Sequence, residues 1–129
     1  MIWPFYTALL ALLFVALSVR TLRLRRRYKL ALGDGGNPLM LRAIRTHANF
    51  AEYAPLGLLL LAGAEISGSP ALLTHAIGLM LLAGRVLHAF GVSREAEVFA
   101  FRVSGMALTF TAYLVAAAYI LFRSAAGGA

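Results

Sequence analysis

The sequence predicts an all-α membrane protein in which a single domain forms a bundle of four transmembrane helices. Its 129 residues are 61% hydrophobic, and its mean hydropathy of +0.81 is far above the range of soluble domains. Only 13% of the residues are charged, and these are clustered rather than spread over a surface. Because four spans use up most of the chain, residues 1–129 are predicted to form one domain.

Four apolar segments follow one another, each long enough to cross the hydrocarbon core of a bilayer. The predicted spans cover residues 2–19, 39–66, 71–90 and 98–122. The first is followed, not preceded, by basic residues, so we predict a retained membrane helix rather than a signal peptide. The second begins after the turn-rich segment 33–38. The third and fourth follow the short connections 67–70 and 91–97. Glycines within these two spans allow close helix approach.

Basic residues gather at one side of the predicted bundle. Six of the twelve Lys and Arg residues lie between Arg20 and Lys29, and the second connection has none. The positive-inside rule then predicts cytoplasmic first and third connections, with both termini on the other side. A basic run beside an apolar helix end typically meets anionic lipid headgroups, so we expect no nucleic-acid partner. The lack of cysteine and the spacing of the three histidines predict no metal site.

A polar stripe in the second span is the main functional signal in the sequence. Its members fall within roughly a 100° arc of one helix face. They are Arg42, Arg45, Asn49, Glu52 and Tyr53. A charged side chain in a bilayer costs about 2.5–3.5 kcal/mol, so such residues persist where they face a protein interior, a partner subunit or a polar ligand. This combination of groups would suit a small zwitterionic peptide.

Other polar residues are predicted at the same depth as the stripe. Arg85 and His88 lie near the cytoplasmic end of the third span, and Arg102 lies near the start of the fourth. This convergence predicts one polar site near the cytoplasmic face. The excess of positive charge calls for an anionic partner, either a lipid headgroup or a substrate carboxylate, which arginine can bind through two parallel hydrogen bonds.

Two structural alternatives remain open at this stage. Arg45 and Glu52 lie on one helix face and could form an internal ion pair that neutralises both charges. His47 points roughly 160–200° away from Arg45 and Asn49. It could therefore make a helix–helix hydrogen bond, or reach a site that belongs to a neighbouring subunit.

Residues 45–55 read Arg-Thr-His-Ala-Asn-Phe-Ala-Glu-Tyr-Ala-Pro, which closely resembles the second-helix signature of the MAPEG superfamily. These are the membrane-associated proteins in eicosanoid and glutathione metabolism. The basic first connection and its Gly-Asp-Gly-Gly-Asn-Pro turn look like the bacterial branch, and the chain is similar to microsomal glutathione transferases. The resemblance implies a homotrimer in a bacterial inner membrane, with glutathione bound between subunits near the cytoplasmic face.

The resemblance also implies roles for individual residues. The residues that it implies to bind glutathione are Arg45, His47, Asn49, Glu52, Tyr53 and Arg85. Among them, His47 would act in its own subunit or in the adjacent one. Arg102 is implied to be catalytic, because it lies just past the position of a thiolate-stabilising arginine in the family. The helix-one contact of the family corresponds to one of Arg23, Arg25 and Arg26. Val92 departs from the family's transferases, which carry a tyrosine there.

By this resemblance, the chain is predicted to be a membrane-embedded glutathione-binding protein. It would act as a transferase or peroxidase on hydrophobic electrophiles that enter from the lipid, with glutathione as co-substrate. Arginines would lower the pKa of the bound thiol and hold the thiolate as nucleophile. The alternative is a non-catalytic protein of the same fold that binds a lipid or an anionic metabolite, which Val92 favours. In a third reading, the stripe only pairs charges within the trimer.

Overall fold

The computed structural model describes residues 1–127 and is built from α-helices. The four helices are α1 (Trp3–Tyr28), α2 (Pro38–Ile66), α3 (Ala71–Ser93) and α4 (Phe99–Ala125). No strand occurs in this range, so the predicted all-α fold with four helices is confirmed. The predicted domain extended to residue 129, and its last two residues lie outside the described range.

Helix α2 runs antiparallel to α1 along the whole apolar length of α1. At one end of the bundle, the Glu65 carboxylate accepts hydrogen bonds from the backbone N–H groups of Ile2 and Trp3, at 2.6 and 2.7 Å. Toward the other end, the Thr21 hydroxyl donates to the Ala43 carbonyl at 3.4 Å. Since these contacts lie near opposite ends of α1, α2 crosses the same thickness as α1.

The connections 29–37 and 94–98 lie together at one end of the bundle, which we call the basic end. Helix α1 does not stop at Val19, where the predicted span ended, but continues to Tyr28 with three arginines in its last turn. Arginine is a good helix former, and cations near a helix C-terminus interact favourably with the helix dipole. The basic run is therefore mostly helical rather than a connection.

A glycine-rich turn determines where α2 begins. Gly33, Gly35 and Gly36 have positive φ angles of 67°, 59° and 74°, a conformation that is disfavoured for residues with a Cβ atom. Asn37 then caps α2 by accepting a hydrogen bond from the Met40 N–H at 2.9 Å. The start of α2 in turn sets the level at which its polar stripe lies.

Glycines bring α3 and α4 into close contact. A Cβ atom on Gly84 would lie 2.7 Å from Thr109 Oγ1 and 2.8 Å from the Gly105 carbonyl oxygen. A Cβ atom on Gly105 would lie 2.5 Å from the backbone nitrogen of His88. These separations are too short for any larger residue without a shift of the helices. The predicted role of small residues in close helix approach is confirmed at this crossing.

The outer surface of the bundle is apolar, as expected for a protein in a bilayer. Within residues 1–127, three helices are long and apolar enough to cross a membrane, namely α1, α3 and α4. Helix α2 has 29 residues, and it crosses with α1 although its first half carries the polar stripe. Large side chains such as Leu12, Leu72 and Leu114 are exposed on the outside. The chain is thus an integral membrane protein.

Candidate functional site

A buried arginine lies where three helices meet. Arg85 of α3 is 1% exposed, and its Nη1 donates to Asn49 Oδ1 of α2 at 2.7 Å. Its Nε donates to Thr109 Oγ1 of α4 at 3.1 Å, and its Nη2 lies 3.2 Å from the Met106 sulfur. The guanidinium carbon is 5.4 Å from the centre of the Tyr53 ring. The side chain is therefore held by neutral groups and an aromatic ring.

No carboxylate pairs with Arg85 in the part of the chain that the structure describes. A buried cation is costly unless it is paired or hydrogen-bonded, and here neutral acceptors supply hydrogen bonds but no opposite charge. The arrangement is possible because Gly84 lets α4 approach, so that Thr109 comes within reach. Thr109 was not singled out in the sequence, because a threonine in an apolar helix commonly bonds only to a carbonyl of its own helix, as Thr109 also does to Gly105.

A second cationic feature lies nearer the basic end, in a groove of about 290 Å³. We call it the arginine groove; it is lined by Pro38, Leu41, Arg42, Arg45, Val92, Glu97 and Arg102. Arg42 Nη1 donates to Glu97 Oε2 at 2.9 Å and to the Val92 carbonyl at 3.2 Å. Arg102 Nη1 lies 3.6 Å from the other carboxylate oxygen, Oε1. Arg42 and Arg102 thus contact the carboxylate of this groove, while Arg45 lines its edge without an ion pair within residues 1–127, so the groove is positively charged.

The surroundings of Glu97, in the connection between α3 and α4, favour the ionised form of its carboxyl group. The hydrogen bond from Arg42 is the main cause that lowers the pKa of this carboxyl group, and the charge of Arg102 lowers it further. Together, these effects outweigh the desolvation of the carboxyl group, which acts in the opposite direction. Glu97 was not singled out in the sequence, because an acidic residue in a short connection is usually solvated and its two arginine partners lie on different helices.

The polar stripe divides into two sets. Arg42, Asn49 and Tyr53 face α3 and α4, where they contact Glu97 or Arg85. Arg45 and Glu52 are exposed on the outer edge of α2. Neither of them has an ion-pair partner within residues 1–127, so the alternative of an internal Arg45–Glu52 pair is not realised in this chain.

His47 lies on the side of α2 that faces α1. Its Nε2 is 3.0 Å from Ser18 Oγ, and its ring stacks on Phe14 with a centroid distance of 4.8 Å. This is the helix–helix hydrogen bond that the sequence analysis left open. His47 also lines a groove of about 340 Å³ together with Arg25. Among the three candidate arginines of α1, Arg25 is therefore the one that shares a groove with His47.

Arg102 and Val92 are the two residues at which the sequence predicted a departure from the pattern that it otherwise resembles. Arg102 lies in the first turn of α4 with its side chain half exposed, and it reaches into the arginine groove. Val92 is buried, and its carbonyl oxygen binds Arg42. The side chain of Val92 brings no hydroxyl to the groove, so hydrogen bonds from a tyrosine at this position have no counterpart here.

His88 of α3 is buried where α3 packs against Gly105 of α4, whereas Glu65, Tyr6 and His75 lie at the opposite end from the basic end. Glu65 satisfies the first backbone N–H groups of α1, as an acidic group at a helix N-terminus does. The Tyr6 hydroxyl lies 3.0 Å from His75 Nδ1. These contacts tie helices together and lie far along the bundle from Arg85.

Fold and site together define a four-helix integral membrane protein with a buried arginine and a cationic groove at its basic end. The MAPEG family matches residues 3–122, nearly the whole chain, and the chain belongs to this family. Inner membrane protein YecN of Escherichia coli strain K12 is 38% identical to it over 115 residues, which is 89% of this chain and 86% of the relative. The same figures hold for YecN of Escherichia coli O6:H1 strain CFT073.

Membership confirms the resemblance drawn from residues 45–55. It puts the chain among the membrane proteins of glutathione and eicosanoid metabolism. The name of the relative describes a location and no reaction.

Proposed function

We propose that the protein binds glutathione at its basic end. With glutathione as co-substrate, it acts as a glutathione transferase or glutathione-dependent peroxidase on lipophilic substrates. The observation that carries the proposal is Arg85, a fully buried guanidinium that has only neutral partners. Glutathione has two carboxylates and one ammonium group, so it complements an excess of arginine. The wider site would consist of Arg45, Asn49, Glu52 and Tyr53 on α2 with Arg85 on α3.

The spacing along α2 suits a tripeptide. Arg42 and Asn49 are separated by two helical turns, about 10 Å at 1.5 Å per residue. An extended tripeptide spans about 10 Å. One end of glutathione could therefore meet the Arg85–Asn49 pair while the other end lies in the arginine groove.

Arg102 would supply the catalytic electrostatics. A guanidinium beside the sulfur lowers the pKa of the thiol, whose proton passes to water, and stabilises the thiolate. In the transferase reaction the sulfur attacks an electrophilic carbon, a C–S bond forms, and the electron pair leaves with the leaving group. In the peroxidase reaction the sulfur attacks a peroxide oxygen, so that an S–O bond forms as the O–O bond breaks and an alcohol leaves. A second glutathione then attacks the sulfur of the resulting sulfenic acid, which forms the disulfide and releases water.

A homotrimer in the bacterial inner membrane belongs to the same proposal. Arg45 and Glu52 are charged, exposed and unpaired within residues 1–127, and such groups in a membrane are usually covered by a partner or a ligand. A neighbouring subunit could bring His47 and Arg25 to them, since these residues share an outward-facing groove. The basic end would face the cytoplasm, with the termini on the other side.

Ultraviolet difference titration of the detergent-purified protein with glutathione near neutral pH tests the proposal. We expect a thiolate band that is lost in Arg45→Ala and in Arg102→Ala, because each removes a cation from the site. Arg27→Ala is the matched control: it removes an arginine that stacks on Tyr28 at the end of α1, and the band should persist. A wild-type protein that binds glutathione without the band would contradict catalysis and leave a binding function.

The second candidate is a non-catalytic protein that binds a lipid or an anionic metabolite in the same groove. Val92 favours it, since the side chain of valine cannot form a hydrogen bond with a thiol. Phospholipid that remains on the protein in native mass spectrometry, and that glutathione does not displace, would favour this candidate over the first.

A further inference from the structure

Glu97 occupies the arginine groove in the way that a bound carboxylate would. It lies in the short non-helical connection between α3 and α4, and its carboxylate sits between Arg42 and Arg102. These two arginines come from different helices, α2 and α4. Accepting a hydrogen bond from Arg42 is what a ligand carboxylate would do in this groove.

The hydrogen-bonding capacity of the Glu97 carboxylate is only partly satisfied. Its Oε2 accepts a hydrogen bond from Arg42, but its Oε1 is buried and has no hydrogen-bond partner. Arg102 lies 3.6 Å away, beyond the usual range of a charge-assisted hydrogen bond. A buried acceptor without a partner carries a penalty, so this arrangement is weaker than the charges alone suggest.

Both arginines could keep their positions after Glu97 leaves. Arg42 also donates to the Val92 carbonyl at 3.2 Å, which holds it in the groove independently of Glu97. Arg102 has a half-exposed side chain and is free to follow an incoming anion. Exchange of one carboxylate for another would therefore conserve the charge balance of the groove.

We propose that Glu97 is a built-in competitor for the anionic group of the ligand, so that a ligand carboxylate replaces Glu97 on Arg42, and Arg102 becomes available to the ligand's sulfur. The inference rests on the proposed function, because it concerns the same groove. Glu97 would then set the affinity and the selectivity of the arginine groove for its ligand. While Glu97 is present, only a ligand with further contacts, such as those to Arg85 and Asn49, displaces it.

Isothermal titration calorimetry of the detergent-solubilised protein with glutathione and with S-methylglutathione tests this inference. The methylated ligand has no thiol, so it reports carboxylate binding separately from thiolate formation. We expect Glu97→Gln to bind both ligands about two- to fivefold more tightly than the wild type, because it removes a competing charge of the strength of a partly exposed ion pair. Glu95→Gln is the matched control, since it removes an exposed carboxylate from the same connection and should leave both affinities unchanged.

The outcomes separate the inference from the proposed function. Equal or weaker binding by Glu97→Gln, with binding by the wild type, would overturn the competitor role and leave the proposed function standing. Binding by Glu97→Gln alone would support the competitor role and contradict glutathione as the ligand of the wild-type protein. No binding by either protein would overturn both.

Hydrogen exchange on the wild-type protein gives a readout that does not depend on the folding of a variant. Release of Glu97 should speed the exchange of backbone amides in residues 94–98 when glutathione saturates the protein. Slower exchange in this connection would mean that the ligand strengthens the contact of Glu97, which would overturn the inference.

Discussion

At the scale of single residues, the interior holds a cation, Arg85, that has no counter-ion among residues 1–127. Arg85 is surrounded by an amide oxygen, a hydroxyl, a thioether and an aromatic ring. Buried charges usually lower their free energy by pairing, and replacement by an apolar side chain is often neutral or stabilising. An arginine in such surroundings is better explained by ligand binding than by stability.

This explanation predicts different effects of Arg85→Met on binding and on stability. We expect the free energy of unfolding to change by less than about 1.5 kcal/mol, because methionine fills similar space without an unpaired charge. Affinity for glutathione should fall about tenfold or more, the typical loss of a charge-assisted hydrogen bond. Denaturation in detergent micelles and calorimetry measure the two quantities.

Arg123→Met is the control for this change. Arg123 donates to the Ser67 carbonyl at 3.0 Å, at the end of the bundle opposite the basic end. Its replacement should leave the affinity for glutathione unaltered. A large loss of stability in Arg85→Met, with unchanged binding by the protein that folds, would make Arg85 a structural residue instead.

At the scale of helices, the site depends on how closely α3 and α4 approach. Gly84 and Gly105 face one another at the crossing, and Thr109 lies one helical turn after Gly105, with its hydroxyl donating to the Gly105 carbonyl at 2.9 Å. The same hydroxyl accepts the Arg85 Nε–H. Helix packing and the orientation of the buried arginine are therefore set by the same few residues.

Gly84→Ala should accordingly weaken both the bundle and the site. Its methyl group would meet the Gly105 carbonyl oxygen at 2.8 Å, and overpacking of this kind typically costs about 1–3 kcal/mol. Gly63→Ala is a matched control, since its methyl group would meet only the end of the Ile120 side chain, at 3.1 Å. Unfolding by denaturant in micelles measures both variants, and equal stabilities would contradict the packing role of Gly84.

At the scale of the whole molecule, one chain leaves charged groups uncovered. Arg45 and Glu52 lie on the outside of α2, next to a surface that elsewhere consists of large apolar side chains. His47 and Arg25 share a groove on the α1 side of α2. In a ring of subunits, the outer surface of α2 in one subunit could meet the groove on the α1 side of α2 in the next. The proposed ligand site would then be completed by formation of the proposed trimer.

Native mass spectrometry measures this assembly directly. We expect three copies of the chain in mild detergent, and fewer intact trimers for Glu52→Ala, because an intersubunit contact or a bridging ligand contact is lost. Glu95→Gln removes an exposed carboxylate from the α3–α4 connection and should leave the trimer intact. A wild-type protein that stays monomeric in several mild detergents would contradict the assembly.

Hydropathy and local motifs were sufficient to predict the fold. The four helices follow from apolar runs, and the turn before α2 follows from the glycines of segment 33–38. The exact end of α1 did not follow, because hydropathy reports where the bilayer ends, whereas the helix continues as long as its residues favour helix. The family was also readable from residues 45–55 alone, and the match over residues 3–122 confirms it.

The sequence by itself determined which polar residues share the basic end, since helix periodicity and the positions of the connections are local properties. Only the tertiary structure decided which of these residues meet. It divided the stripe into an inner and an outer set, joined Arg85 to Thr109, and brought Glu97 between Arg42 and Arg102. These pairings depend on the rotation and separation of neighbouring helices, which are set by the packing of glycines such as Gly84 and Gly105 across the helix interface rather than by any pattern along one helix.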